Sequence, residues 1–269
     1  MFFQHYLEWP KTLLSGLLLL LAMMVSLPDA AHAQIALSTS ALPAVTFANT
    51  NDSSIQQNEL AAYVAANSLS ERVVQVDLGQ LPKISQYTEI DSSAQGFGPD
   101  ACGLVAAAAA MGGKNWEPLV SKIADAAGKD YGNHLGIQPS KYIAALEKVF
   151  GADKVTAVNA SSLGQLYQEL QAGKIVIVDI KVNSTRVLPS ASRPNYAHFA
   201  RVLGIDVARR EIYIQNTLQG DPYWTVSLED FVKAWQQPET GASIVPDPNH
   251  AEGVTRWAVI LSPKKVVLQ

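Results

Sequence analysis

The sequence predicts an α+β fold in which a helical lobe is followed by an antiparallel β lobe, and two observations carry that prediction. Helix-like spacing closed by glycine dominates residues from roughly 73 to 150. From roughly 154 to 262 the apolar residues instead come in β-branched runs that alternate or are continuous, as strands require. Helices first and strands afterwards is the order of an α+β domain. With 269 residues, 48% of them hydrophobic and 16% charged, the chain is long enough to bury one substantial core.

Residues 1–33 read as an export signal. Lys11 supplies a sparse positive start, Leu13 to Leu27 is an apolar run, Pro28 breaks it, and Ala31-His32-Ala33 is a small-x-small cleavage site. The run is short for a bilayer core of about 30 Å, so cleavage after Ala33 is expected rather than anchoring. The expected destination is secreted or extracytoplasmic, with no stable membrane span once the signal is removed. Residues 34–75, rich in Ala, Ser, Thr, Asn and Gln, read as a low-complexity linker or pro-segment that ends in a short helix near Glu59 to Ser70. Residues 76–269 form the main domain.

Within that domain Cys102–Met111 is an Ala-rich helix closed by Gly112-Gly113, Trp116–Ala127 has amphipathic spacing, and Pro139–Phe150 is closed by Gly151. Strands are expected at Lys174–Val182, His198–Asp206, Glu211–Asn216 and Trp257–Leu261. Helices at Ser162–Ala172 and Ser227–Trp235 interrupt them. Ser161 or Ser162 caps the first; Ser227, with Asp230 three residues on, caps the second in a variant capping box.

Several function classes are disfavoured. A net charge of −4 with no basic run argues against nucleic-acid binding. One cysteine cannot make a disulfide scaffold, and no second cysteine, paired histidine or His-Glu-x-x-His offers a metal framework. No glycine loop of phosphate- or dinucleotide-binding pattern is present, so no cofactor is expected.

The single cysteine is the informative residue. An exported chain meets an oxidising compartment, where an odd thiol is buried and inert, bridged to another chain, or reactive. Cys102 sits where the turn-rich segment Gly96-Phe97-Gly98-Pro99-Asp100 enters the Ala-rich helix. Unpaired N–H groups and the helix dipole there favour a thiolate, and the same N–H groups can face a developing oxyanion. A base would have to come from His134, His198 or His250. The first and last lie in turn-like stretches, whereas His198 opens a strand and can project across a cleft from a fixed backbone. A tight turn around Val207–Arg210 folds the next strand back, with Asn216 expected close to opposite His198. Its amide oxygen would hold the imidazole tautomer that acts as base; Asp221, five residues on, is the rival orienter.

These pieces resemble the papain-like peptidase-like domains related to the double-glycine leader peptidases that process bacteriocin precursors. The resemblance covers about residues 80–262. It rests on Leu81–Tyr87 (LPKISQY), DACGLVAAAAAMGG around Cys102, Gly173–Val178, YAHFARVLGID with IYIQN, and DPYWTVSLEDFVKAW, in that order. It implies a two-lobed papain-like cysteine peptidase fold, with Cys102 as nucleophile, His198 as general base and Asn216 as orienter. It also implies an oxyanion-hole glutamine before the cysteine. Gln86 matches the local motif but precedes Cys102 by 16 residues; Gln95 precedes it by seven; both remain candidates. Leu104 stands where many relatives carry proline, and Asn216 where many carry aspartate. The implied partner is a peptide or protein substrate, and the implied activity is cysteine peptidase chemistry through a thioester acyl-enzyme. The alternatives are a non-catalytic peptide- or cell-wall-binding module on the same fold, or a related amidase or acyltransferase.

Overall fold

An antiparallel sheet organises the chain, because seven segments of apolar, β-branched texture pair across it. In a computed structural model the described residues are 46–81, 84, 101–128, 137–182, 196–217, 221–235 and 256–263. Among them, β1 is Arg72–Val74, β2 Val155–Val158, β3 Ile175–Val182, β4 Tyr196–Asp206, β5 Glu211–Gln215, β6 Tyr223–Ser227 and β7 Ala258–Leu261. The strand order is β2-β7-β3-β4-β5-β6, with β1 pairing to the far end of β4. Every pairing is antiparallel, as expected of an α+β domain.

Six helices complete the described fold: α1 Ser53–Ala66, α2 Cys102–Gly112, α3 Glu117–Ala127, α4 Pro139–Phe150, α5 Leu163–Gln171 and α6 Leu228–Trp235. Strand alternation divides the core between the two sheet faces. One face buries Val176, Val178, Ile180, Ala200 and Val202 against α1, α5 and α6. The other buries Ile175, Ile177, Phe199 and Val259 against α2, α3 and α4. Helix starts are fixed by local chemistry. Ser162 and Gln165 form a reciprocal capping box on α5, and the Asp230 N–H donates to Ser227 Oγ at 3.0 Å at the start of α6.

The expected elements from Cys102 onward are found within one or two residues of their predicted bounds. The segment before them differs. Residues 46–75 belong to the same compact unit as the sheet, and α1 begins at Ser53, capped by Asp52, rather than near Glu59. It is core structure, not surface linker: Leu60, Tyr63 and Val64 are buried with α5. Buried Gln56 accepts from the Leu163 N–H at 3.1 Å and donates to the Thr50 carbonyl at 2.7 Å. The Arg256 guanidinium donates to Thr50 O and Asn49 Oδ1. Its polar composition hid the start and the burial of this helix, since Gln56 and Gln57 are buried and its apolar face is only three residues wide. Strands β1, β2 and β6 are short and lie outside the four strands expected from composition; β6 falls within the DPYWTVSLEDFVKAW segment on which the resemblance rests. The signal segment 1–33 and residues 34–45 lie outside the described residues.

Candidate active site

Cys102 is the first residue of α2, following Ala101 in a non-helical conformation with no side-chain cap. Its N–H is therefore among the first-turn donors that no intrahelical carbonyl can satisfy. The helix is apolar on every side and buried from Cys102 to Ala109, the pattern of a helix enclosed within a core. Its position is set by small residues. A Cβ on Gly103 would come within 3.1 Å of the Phe199 ring and 3.4 Å of the Tyr142 ring. The absence of that carbon lets the start of α2 lie directly on β4. Tyr142, fully buried on α4, donates from its hydroxyl to the Gly103 carbonyl at 2.6 Å. Its ring lies 4.8 Å from that of Phe199, and Trp257 completes the cluster. Burial, and secondarily the nearby Cys102, hold the Tyr142 phenol well above its usual range, so it serves as a neutral donor.

The sulfur meets β4 at one point. The Phe199 N–H donates to Cys102 Sγ at 3.5 Å. Its direction follows from the ladder. Asp179, opposite Phe199, turns its own N–H away toward the Trp257 carbonyl. Phe199 and Asp179 are therefore a non-hydrogen-bonded pair, and the Phe199 N–H points to the β5 side of β4. Since β5 ends at Gln215, this stretch of β4 lies beyond its neighbour, and the sulfur occupies the notch.

His198 immediately precedes Phe199 and pairs with Ile180. It is fully buried. Desolvation pulls its imidazole from an ordinary 6.5 down to about 4, so the ring is neutral at physiological pH. Asn216 follows β5 and is also buried. Its backbone N–H donates to the Pro222 carbonyl at 2.9 Å and its Nδ2 to the Asp221 carbonyl at 2.7 Å. Those bonds fix the amide plane with Oδ1 on the opposite edge from Asp221. The register differs from the expectation. The turn pairs Asp206 with Glu211, a bulge between Val202 and Gly204 then shifts the ladder by one residue toward His198, and Val202 pairs with Ile214. Continued by two residues, that pairing sets Asn216 opposite Ala200 rather than His198. The two side chains remain on one face as diagonal neighbours, a spacing of about 7–8 Å between Cα atoms that such side chains can bridge. The turn register and the bulge are what sequence could not supply, because neither leaves a compositional mark.

The structure thus brings Cys102 to the backbone beside His198 and sets Asn216 on the His198 side of β4. Asp221 is exposed; it reaches this site through its carbonyl. Gln86, Gln95, His134 and His250 lie outside the described residues. Trp235, at the end of α6, is core and donates to the Trp257 carbonyl at 2.9 Å. The sequence reading missed Gly103, Tyr142 and Phe199 as a group. Their only signal was the Cys-Gly pair itself. No set of three or more His, Cys, Asp or Glu among the described residues could hold a metal. No described helix is long and apolar enough to cross a membrane.

Gly103→Ala gains helix propensity but presses the added carbon into the buried Phe199 ring, and overpacking of this kind outweighs that gain, with a net cost of about 1–2 kcal/mol. It should lower the melting temperature by a few degrees and slow alkylation of Cys102 by moving the sulfur off β4. Thermal melts and labelling rates on the same protein check both.

The sequence model of the Peptidase_C39 like family matches residues 79–243, more than half of the chain. No curated protein matches. Among solved structures, a Bacillus anthracis protein described as a C39-like peptidase is similar at 15% identity and a TM-score of 0.49, covering 72% of this chain and 99% of that one. The peptidase domain of Streptococcus ComA, a bi-functional ABC transporter involved in quorum sensing, is similar at 14% identity and a TM-score of 0.38, covering 61% of this chain and 93% of that one. On the family match, the chain belongs to the Peptidase_C39 like family.

Proposed function

We propose that the protein is an exported cysteine peptidase whose nucleophile is Cys102, with His198 as general base and Asn216 as its orienter. Family membership supports a cysteine-peptidase type of function. The observation that carries the assignment of residues is the 3.5 Å contact of Cys102 Sγ with the Phe199 N–H, one residue from a buried, neutral His198. A neutral imidazole can take a proton; an imidazolium cannot. The N–H aimed at sulfur serves a thiolate better than a thiol.

In the mechanism this supports, His198 accepts the thiol proton as Cys102 Sγ attacks the peptide carbonyl carbon. The oxyanion that forms is stabilised by the Cys102 N–H at the start of α2, joined by the side-chain amide of Gln86 or Gln95. Asn216 Oδ1 accepts from the other ring N–H and holds the tautomer. Collapse of the intermediate breaks the C–N bond while His198 returns its proton to the leaving amine, leaving a thioester. Water, deprotonated by His198, then hydrolyses the thioester and regenerates the thiol. Export, with cleavage after Ala33, is part of the same reading and predicts a secreted product beginning at Gln34.

The direct test is digestion of a peptide library, read by mass spectrometry, before and after stoichiometric alkylation of Cys102. Cleavage that alkylation abolishes is the expected result. Saturable peptide binding without cleavage, under the same conditions, contradicts the proposal and leaves a binding module.

A further inference from the structure

Arg201 stands in the middle of β4, the one charged residue between His198 and Ile205 and two residues beyond Phe199, and only 8% of it is exposed. Its register partner Ile177 belongs to the core beneath α2. Alternation therefore sets Arg201 on the same sheet face as Phe199 and the cysteine helix. Burial lowers its guanidinium only to about 10, so it stays cationic at neutral pH. Among the described residues no hydrogen bond or ion pair reaches it, and its Nε is sealed without a partner. Asp179, the nearest carboxylate by register, is a diagonal neighbour on β3, and no ion pair joins the two. The pairing of Val202 with Ile214 sets Gln215 opposite Arg201. Gln215 is 2% exposed and its Oε1 is likewise sealed without a partner. Buried polar groups are normally satisfied, and a buried charge without a counter-charge is costly. Two such groups, adjacent across β4 and β5, mark a place built to receive something.

We propose that Arg201 and Gln215 form a carboxylate-binding subsite that reads the peptide close to the bond attacked by Cys102. The planar guanidinium matches a carboxylate with two parallel N–H donors, and an adjacent side-chain amide supplies another. Arg201 lies about 7 Å along β4 from Phe199, at about 3.4 Å per residue. The carboxylate therefore belongs to a residue within about two positions of the scissile bond. It is either an acidic side chain or the free C-terminus of a short peptide. This inference rests on the peptidase reading above.

The test uses the exported chain carrying Cys102→Ala, which binds without turnover, and fluorescent peptides differing only by Glu or Gln at each of two positions on either side of the cleavage site. A second set differs only by a free or amidated C-terminus. The result expected is about tenfold or greater tighter binding of the carboxylate form in one arm. That preference should be lost when Arg201→Met is added and weakened with Arg201→Lys. The arm that responds identifies the source of the carboxylate. The melting temperature of Arg201→Met should be unchanged or higher, because an unpaired buried cation is removed. Bound peptides with no carboxylate preference in any arm overturn the subsite while leaving the peptidase intact. A fall of several degrees on Arg201→Met, with preference retained, assigns Arg201 to structure and also overturns it. A wild-type protein that neither cleaves nor binds any peptide overturns the peptidase reading and the subsite together.

Discussion

Cys102→Ala should abolish peptide cleavage, by on the order of 10⁵- to 10⁶-fold, and leave the fold standing. The size of the effect follows from the role: groups that act as one catalytic unit fail together when the nucleophile is removed. The fold should survive because the side chain shrinks by one atom at the edge of the core, where Cys102 retains 7% exposure. The main structural loss is the acceptor for the Phe199 N–H, worth about 1 kcal/mol. Cys102→Ser separates the two effects. It restores an acceptor, so its melting temperature should lie nearer the wild type, yet its hydroxyl is a far weaker nucleophile and turnover should stay lost. Activity comparable to wild type in Cys102→Ala would remove the residue from the chemistry.

His198→Gln should cut turnover by about 10³-fold or more and also change how the protein responds to acid. Folding depresses the imidazole pKa, from 6.5 to about 4. Between those values the unfolded chain binds a proton that the native state refuses. Stability is therefore fully present above about pH 6.5 and is lost as pH falls toward 4, by up to about 3 kcal/mol from this one group. His198→Gln has nothing to titrate there, so that part of the acid destabilisation should vanish. Urea melts at pH 7, 6, 5 and 4 on both proteins measure it. Parallel pH dependences in the two would mean that His198 is not held neutral by burial. Activity should share the acid limb, because the protonated ring cannot accept from the thiol.

The local signals that sequence carries well are those set by composition over several residues. The Ala-rich helix from Cys102, the glycine-closed helix Pro139–Phe150 and the strands around Ile175–Val182 and Tyr196–Asp206 are of this kind. Cys102 and His198 could be singled out as candidates from sequence because a lone thiol in a turn-to-helix entry and a histidine near the start of a strand are visible one residue at a time. Features that depend on three dimensions were not legible. The turn pairs Asp206 with Glu211, a register that alone would set Asn216 opposite Arg201, and the bulge at Val202/Gly204 brings it one residue back, to Ala200 instead of the expected His198. The need for glycine at 103 arises from rings contributed by α4 and β4, which sequence cannot bring together. Helix α1 is held to the core by two glutamines and three apolar side chains, too weak a pattern to show from sequence that the expected helix starts at Ser53 and belongs to the core. Arg201 is the one charged residue between His198 and Ile205, but its isolation appears only when the strands around it are paired.

The claim on which the rest depends is that His198 acts on Cys102. It is tested most directly by the alkylation rate of Cys102 with iodoacetamide from pH 4 to 9, in the folded wild type and in folded His198→Ala. A base beside the thiol predicts wild-type labelling about tenfold or more faster than the variant between pH 6 and 8, the advantage disappearing as His198 is protonated near pH 4. Equal rates in the two proteins across the range, or labelling only after unfolding, would contradict it.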